Sequence, residues 1–272
     1  MQRTQLGVAA DDFGLGPKQG LQAAARLGYA VVQLDATRGQ IEPSSLSKSG
    51  ERHLLRFVNG LGLDLATLGG HMGASGFTDP ATLDQRINKT RQLLELAARL
   101  RVPVVTSSLG ALPDDPDDRR RRSAIEAIEH LGEHADKTGT LLALQTAEDA
   151  PDALRSFLDG LACPMVRVCY DPGGLLIHGH DPVAGVEALA DHIVASHLRD
   201  ATAGTRAAAG REVRMGGGQL HLPDYLDAMD ELQYAGPHIV RRTDATDPAA
   251  DIAAAKTCLD DLLRQHDPDA RR

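Results

Sequence analysis

The chain has no tryptophan and only four tyrosines and four phenylalanines, so it lacks the aromatic platforms on which single-stranded nucleic acid or stacked sugar rings are held. Cysteine is equally sparse. The three residues Cys163, Cys169 and Cys258 form no CxxC pair and no repeated spacing, which argues against a disulfide framework and suits a reducing compartment. No uncharged apolar stretch reaches the roughly 18 residues needed to span a bilayer, and the opening MQRTQLGVAADDFG holds no apolar run of signal-peptide length. A cytoplasmic protein with no membrane partner is the expectation. Positive charge is also short. With 29 Lys and Arg against 38 Asp and Glu the formal charge is -9, so a phosphate backbone is repelled overall and nucleic acid is not an expected partner.

What the chain does have is alternation. Short β-branched or Leu-rich runs take turns with longer, Ala-rich amphipathic segments, the pattern of a parallel sheet with helical crossovers. Strands are expected at 6–9, 30–34, 63–68, 102–107, 141–145, 166–170, 193–198 and 238–242. Eight units in 272 residues give about 34 residues each, close to one βα repeat, and no connection is long enough to be a domain linker. A single-domain α/β fold, a (β/α)8 TIM barrel over residues 1–272, follows more naturally than an open sheet. Helices are expected at 16–27, at 47–61 with a serine cap, and at 80–100 behind the capping pair Thr78-Asp79. The run DDPDDRRRR, from Asp114 to Arg122, reads as the acidic lead-in and solvated first turn of a helix rather than as a polyanion site. The charged tail RQHDPDARR is expected to fray.

The central stretch, residues 166–200, reads as a strand ending at Asp171, a Gly-rich turn, a helix at 182–190 and a strand delivering His197. Side chains at strand carboxyl ends of such a barrel point into the active-site mouth. The residues at or just after the strand ends are Asp11 and Asp12, Asp35, His71, Ser107 and Ser108, Gln145, Asp171, His197 and Arg241. Polar groups therefore gather on one face, although turn chemistry alone favours Asp, Ser and Gly there.

The segments SKSGERHLLRF, VCYDPGGLLIHGHDPV, HIVASHLRDA, GREVRMGGGQLHLPDYLDAM and TDATDPAADIAAA resemble the sugar phosphate isomerase/epimerase family of the xylose isomerase-like TIM-barrel superfamily. The resemblance implies a divalent metal (Mn, Mg, Co or Zn) held at the mouth by a Glu, an Asp, a His and a Glu after the fifth to eighth strands, and a small keto-sugar or polyol as substrate. Asp171 and His197 match the middle two ligands. Gln145 and Arg241 stand where the family has its two glutamates, which also form its acid/base pair. An amide is no base near neutral pH, and a guanidinium neither ligates nor tolerates a nearby cation. Exchanging two carboxylates for Gln and Arg shifts the local charge by +3, which implies a weak or absent metal site. Gln145 and His71 remain additional candidate ligands, and His71, Arg199 and Arg241 candidate substrate contacts. His178 and His180 are weaker candidates, whereas His221 and His238 are expected at the surface or in the core. Arg241 would pair with Asp171 in place of the metal or grip an anionic sugar, with Gly216, Gly217 and Gly218 offering backbone N–H groups. Two readings follow, an isomerase or epimerase with a degenerate metal site and a non-catalytic barrel that binds an anionic sugar or a protein partner. Self-association into a homo-oligomer stays open. A nuclease acting at abasic sites shares the fold but needs a richer His/Asp/Glu set and a less acidic surface.

Overall fold

A computed structural model describes residues 4–205 and 208–266. Eight parallel strands close into a barrel: β1 (Leu6–Ala9), β2 (Val31–Asp35), β3 (Asp64–Gly69), β4 (Val104–Ser108), β5 (Leu141–Gln145), β6 (Val166–Tyr170), β7 (Ile193–Leu198) and β10 (His238–Val240). Strand β10 closes the ring between β7 and β1. Helices α1 (Pro17–Arg26), α2 (Lys48–Gly60), α3 (Leu83–Leu100), α4 (Arg119–Thr138), α5 (Pro151–Asp159), α6 (Pro172–Ile177), α7 (Ala184–Ala188), α8 (Leu222–Glu231) and α9 (Pro248–His266) cover the outside.

The main apolar core lies between strands and helices, where Leu34, Leu68, Leu144 and Val168 meet Leu21, Leu94, Ile128 and Leu259. The barrel interior is lined by smaller side chains, Val104, Ala143, Cys169 and Ala195 on one side and Ala9, Val31 and Ile239 on the other. Because side chains along a strand alternate faces, the next inward position on each strand is two residues further on. That step leads from Ala143 to Gln145, from Cys169 to Asp171, from Ala195 to His197, from Val31 to Gln33 and from Ile239 to Arg241. The polar mouth is therefore a consequence of strand parity.

Several boundaries differ from the expectation. The segment after Asp171 is the short helix α6 rather than a turn: Pro172 fits the first helical position, and the Asp171 carboxylate accepts the Gly174 N–H at 2.8 Å. A β-carbon on Gly173 would lie 2.8 Å from the Arg199 carbonyl oxygen, and one on Gly174 2.8 Å from that of Thr146, so the glycine pair serves close packing. The helix expected at 182–190 shrinks to α7 and a following 3-10 turn, since Asp181 caps the amides of Val183 and Ala184. Helix α3 starts at Leu83, because Asp79 closes a turn with Ala81 and Thr82 instead of capping the helix. Two strands were missed, β8 (Asp200–Thr202) and β9 (Arg211–Val213), which form an antiparallel hairpin over the mouth. Asp118 caps α4 and the arginines after it lie on its surface turn. The tail beyond residue 266 lies outside the described residues.

Candidate active site at the barrel mouth

Asp171 is the best-defended group of the mouth. It is fully buried, and the Arg199 Nε donates to both carboxylate oxygens at 2.9 and 2.8 Å while a second guanidinium nitrogen sits 2.7 Å from Oδ2. The Gln145 amide nitrogen donates to Oδ2, and the Gly174 N–H to Oδ1. A carboxylate only accepts hydrogen bonds, so the contact fixes the Gln145 amide with its NH2 toward Asp171 and leaves its Oε1 buried without a partner.

His197 is buried, and its Nε2 lies 2.8 Å from Gln33 Oε1, an acceptor that also takes the Thr67 hydroxyl at 2.8 Å. The imidazole must therefore donate from Nε2. Burial first, then the charges of Arg241 and Arg199, holds its pKa well below the usual histidine range, so the ring is neutral and its buried Nδ1 carries a free lone pair.

Arg241 points into the mouth, but not at Asp171. Its guanidinium grips Asp12 at 2.7 and 3.1 Å, and Asp12 also accepts the Arg242 backbone N–H at 3.0 Å. Burial works against the charge of Arg241, yet Asp12 holds it protonated. The expected Arg241–Asp171 pair is thus replaced by two others, because Arg199 reaches Asp171 and Asp12 lies against the end of β10. Arg242 turns to Glu212 at 2.8 Å and Asp251 at 2.9 Å, Arg199 reaches Glu212 at 3.2 Å, and Arg214 contacts Asp251. Glu212 also accepts from Thr243 N and Oγ1 at 2.9 and 2.7 Å. Burial raises its pKa, but Thr243, Arg242 and Arg199 outweigh that and keep it below the usual range. A chain of alternating charges runs from Asp171 to Asp251 and pins the β8–β9 hairpin to the mouth.

The glycine loop does not offer its amides outward. The Gly216 and Gly218 N–H groups donate to Asp200 Oδ2 at 3.0 and 2.8 Å, and Leu220 N–H to Oδ1 at 3.0 Å. A β-carbon on Gly218 would come within 2.2 Å of that carboxylate. The anion held by the loop is a side chain of the protein itself.

Two cavities open at the mouth, with His71 on both. The larger, about 610 Å³, is lined by Asp11, Asp12, Gln33, Asp35, Thr106 and Arg241, among others. The smaller, about 180 Å³, is lined by Ser108, Gln145, Glu148, Asp149, His178 and Arg199, among others. His71 faces this open space and has the exposure of a surface residue, yet the surrounding protein, with Arg241 and Arg199, lowers its pKa to about 4; screening by cavity water softens that shift without changing its direction. Burial raises Asp11 to about 6, aided by Asp35 and Asp12 and opposed by the Asp35 N–H at 2.6 Å and by Arg241. Asp149 is raised to about 6 by the same cause.

Of the residues singled out in the sequence, Gln145 and Arg199 meet at Asp171, while His197 and Arg241 each have another partner. His180 binds the Glu148 carbonyl at 2.9 Å, His221 is an exposed partner of Asp224, and His238 is buried against Ser196. The sequence reading missed Gln33, Thr106, Asp200 and Glu212. The inward parity of β2 and β4 marks the first two; the others depend on contacts distant along the chain. Among the described residues no group of three or more His, Cys, Asp or Glu is placed to hold a metal ion.

The model of the xylose isomerase-like TIM barrel family matches residues 21–262. The chain belongs to that family. It is 22% identical over 249 residues to L-ribulose-5-phosphate 3-epimerase UlaE of Escherichia coli, covering 87% of this chain and 86% of that protein. Among solved structures, a xylose isomerase domain protein from Planctomyces limnophilus superposes with a TM-score of 0.83 at 20% identity over 96% of both chains. A xylose isomerase-like TIM barrel protein from Mycobacterium smegmatis, solved in complex with magnesium, gives 0.73 at 18% identity over 97% of both.

Proposed function

We propose that this member of the sugar isomerase/epimerase fold binds a small keto-sugar or polyol at its mouth without a divalent metal, and that Gln145 and Arg241 do not carry proton transfer. The residues at the four metal positions do not fit a cation. The Asp171 carboxylate that carries this reading is already saturated by Arg199, Gln145 and the Gly174 N–H. A dication there would also face the permanent charges of Arg199 and Arg241 at a few ångströms. Gln145 lacks a basic lone pair near pH 7 and Arg241 cannot release a proton, so the two positions offer hydrogen bonds and fixed charge only. What the mouth can do is orient hydroxyls and a carbonyl oxygen through Gln145, His71, Ser108 and Thr106.

The carbohydrate reading draws on the family and on the epimerase relatives; the metal-free reading draws on the charges. Both are tested by metal analysis of the protein as isolated, together with calorimetric titration of ketoses and polyols after treatment with chelator. Substoichiometric metal and retained sugar binding support the proposal. Stoichiometric metal, or binding that vanishes with the chelator, refutes it.

One observation favours a second reading. Asp11 lines the larger cavity with a pKa near 6 and one carboxylate oxygen unengaged, so it has the titration range of a general base that Gln145 lacks. Catalysis from this mouth would rest on Asp11.

A further inference from the structure

We infer that the ligand of this mouth is a neutral, hydroxyl-rich molecule and that phosphorylated sugars are rejected; the inference rests on the carbohydrate-binding reading above. A phosphate needs an unengaged cation or a cradle of free amides. Among the described residues the buried arginines of the mouth are all engaged and no loop offers free amides, which leaves Arg38 at the rim as the loosely held cation. Arg241 is held by Asp12, Arg199 by Asp171 and Glu212, and Arg242 by Glu212 and Asp251. Arg38 stands at the rim, 87% exposed and 3.6 Å from Asp35, where water and salt screen it. The amides of the glycine loop close on Asp200. Along the two cavities five carboxylates face four guanidiniums, so the charges nearly balance and no net positive field draws a dianion in.

The unsatisfied groups have the opposite character. Of eight buried side-chain polar atoms with no hydrogen-bond partner among the described residues, four stand on β4, β5 and β7: Thr106 Oγ1, Ser108 Oγ and Gln145 Oε1, whose residues line the cavities, and His197 Nδ1, whose residue lines neither. Gln145 Oε1 is an acceptor by the orientation that Asp171 imposes, and His197 Nδ1 an acceptor because Nε2 donates to Gln33. At the cavity walls that leaves one fixed acceptor and two hydroxyls that accept or donate, a set that suits O–H groups. The fixed acceptor repels the oxygens of a phosphate or carboxylate, which bring lone pairs and no proton. The sequence-based expectation that Arg241 grips an anionic sugar is replaced by recognition of hydroxyls, with the arginines spent on internal carboxylates.

The test is isothermal titration calorimetry of the full chain with matched pairs: ketoses, aldoses and polyols against their phosphates, among them D-fructose with D-fructose 6-phosphate and L-ribulose with L-ribulose 5-phosphate. The expected result is binding of a neutral member with its phosphate weaker by about tenfold or more. Millimolar inorganic phosphate should leave the thermal midpoint of the wild type unchanged and raise that of Asp12→Asn, in which Arg241 loses its partner. If that variant does not fold, Glu212→Gln, which frees valences of Arg199 and Arg242, should show the gain instead. Phosphates that bind as tightly as their neutral partners, or a wild type stabilised by phosphate, overturn the inference and leave the carbohydrate reading standing. If no member of either set binds, the carbohydrate reading fails and the inference falls with it.

Discussion

Replacing Glu212 by Gln would test whether the charge chain over the mouth is structural. The Glu212 side chain is 3% exposed, pairs with Arg199 at 3.2 Å and Arg242 at 2.8 Å, and accepts two bonds from Thr243. Removing one partner of a buried ion pair costs about 3–5 kcal/mol, mostly because the surviving charge is stranded in a poor solvent. Here both arginines keep a second carboxylate, Asp171 and Asp251 respectively, so the lower end applies, about 3 kcal/mol. At about 2–4 °C per kcal/mol for a domain of this size, the midpoint should fall by about 6–12 °C. Urea and thermal unfolding followed by circular dichroism measure it, with Asp117→Asn as control, since the Asp117 side chain is 89% exposed and lies 3.6 Å from Arg122. The control should match the wild type. A Glu212→Gln midpoint as close to wild type as the control's would refute the reasoning and reduce the chain of pairs to surface decoration.

The double change Gln145→Glu and Arg241→Glu lowers the charge of the mouth by three and should bring measurable manganese binding by calorimetry; a variant that folds and still binds none would mean that charge is not what keeps metal out. His238, buried against Ser196 and Tyr225, has its pKa lowered by burial to about 4 from 6.5. Since the unfolded chain binds that proton more tightly, the stability is complete above pH 6.5 and drains as pH falls toward 4, by about 3 kcal/mol in all. Asp11 and Asp149, raised to about 6 from 3.8, act in the opposite sense, their contribution being complete below 3.8 and lost as pH rises to 6. Subtracting the urea stability of His238→Gln from that of the wild type at each pH isolates the histidine; a flat difference would contradict its burial. If a sugar is turned over, Asp11→Asn should abolish the rise in rate through pH 6 while leaving binding within a few-fold, and an unchanged pH profile would dismiss Asp11 as the base.

The barrel strands were legible because each is short, apolar on both faces and flanked by turn residues; β1, β5, β6 and β7 begin and end where the sequence places them. Strands β8 and β9 were not, since three residues carry no readable period. The expected strand at 238–242 is longer than β10: the Arg241 N–H still donates to the Leu198 carbonyl of β7 at 3.1 Å, but Arg242 turns its own N–H to Asp12 and its side chain to Glu212 and Asp251. Strand parity made the inward positions of Gln145, Asp171, His197 and Arg241 readable, but Gln33 and Thr106 share that parity and were overlooked, Asp200 and Glu212 lie on the short hairpin, and which residues pair was not readable at all. Arg241 and Asp12 are 229 residues apart, and Arg199 competes with Arg241 for Asp171 through a geometry that no local spacing encodes.

In the proposed metal-free mouth Arg199, and not a metal ion, satisfies Asp171. A crystal structure grown in millimolar manganese and read at the manganese absorption edge tests it most directly. Arg199 should remain on the Asp171 carboxylate, with no anomalous peak between Asp171 and His197. A peak there, bonded to Asp171 and His197 Nδ1 with Arg199 displaced, would contradict it.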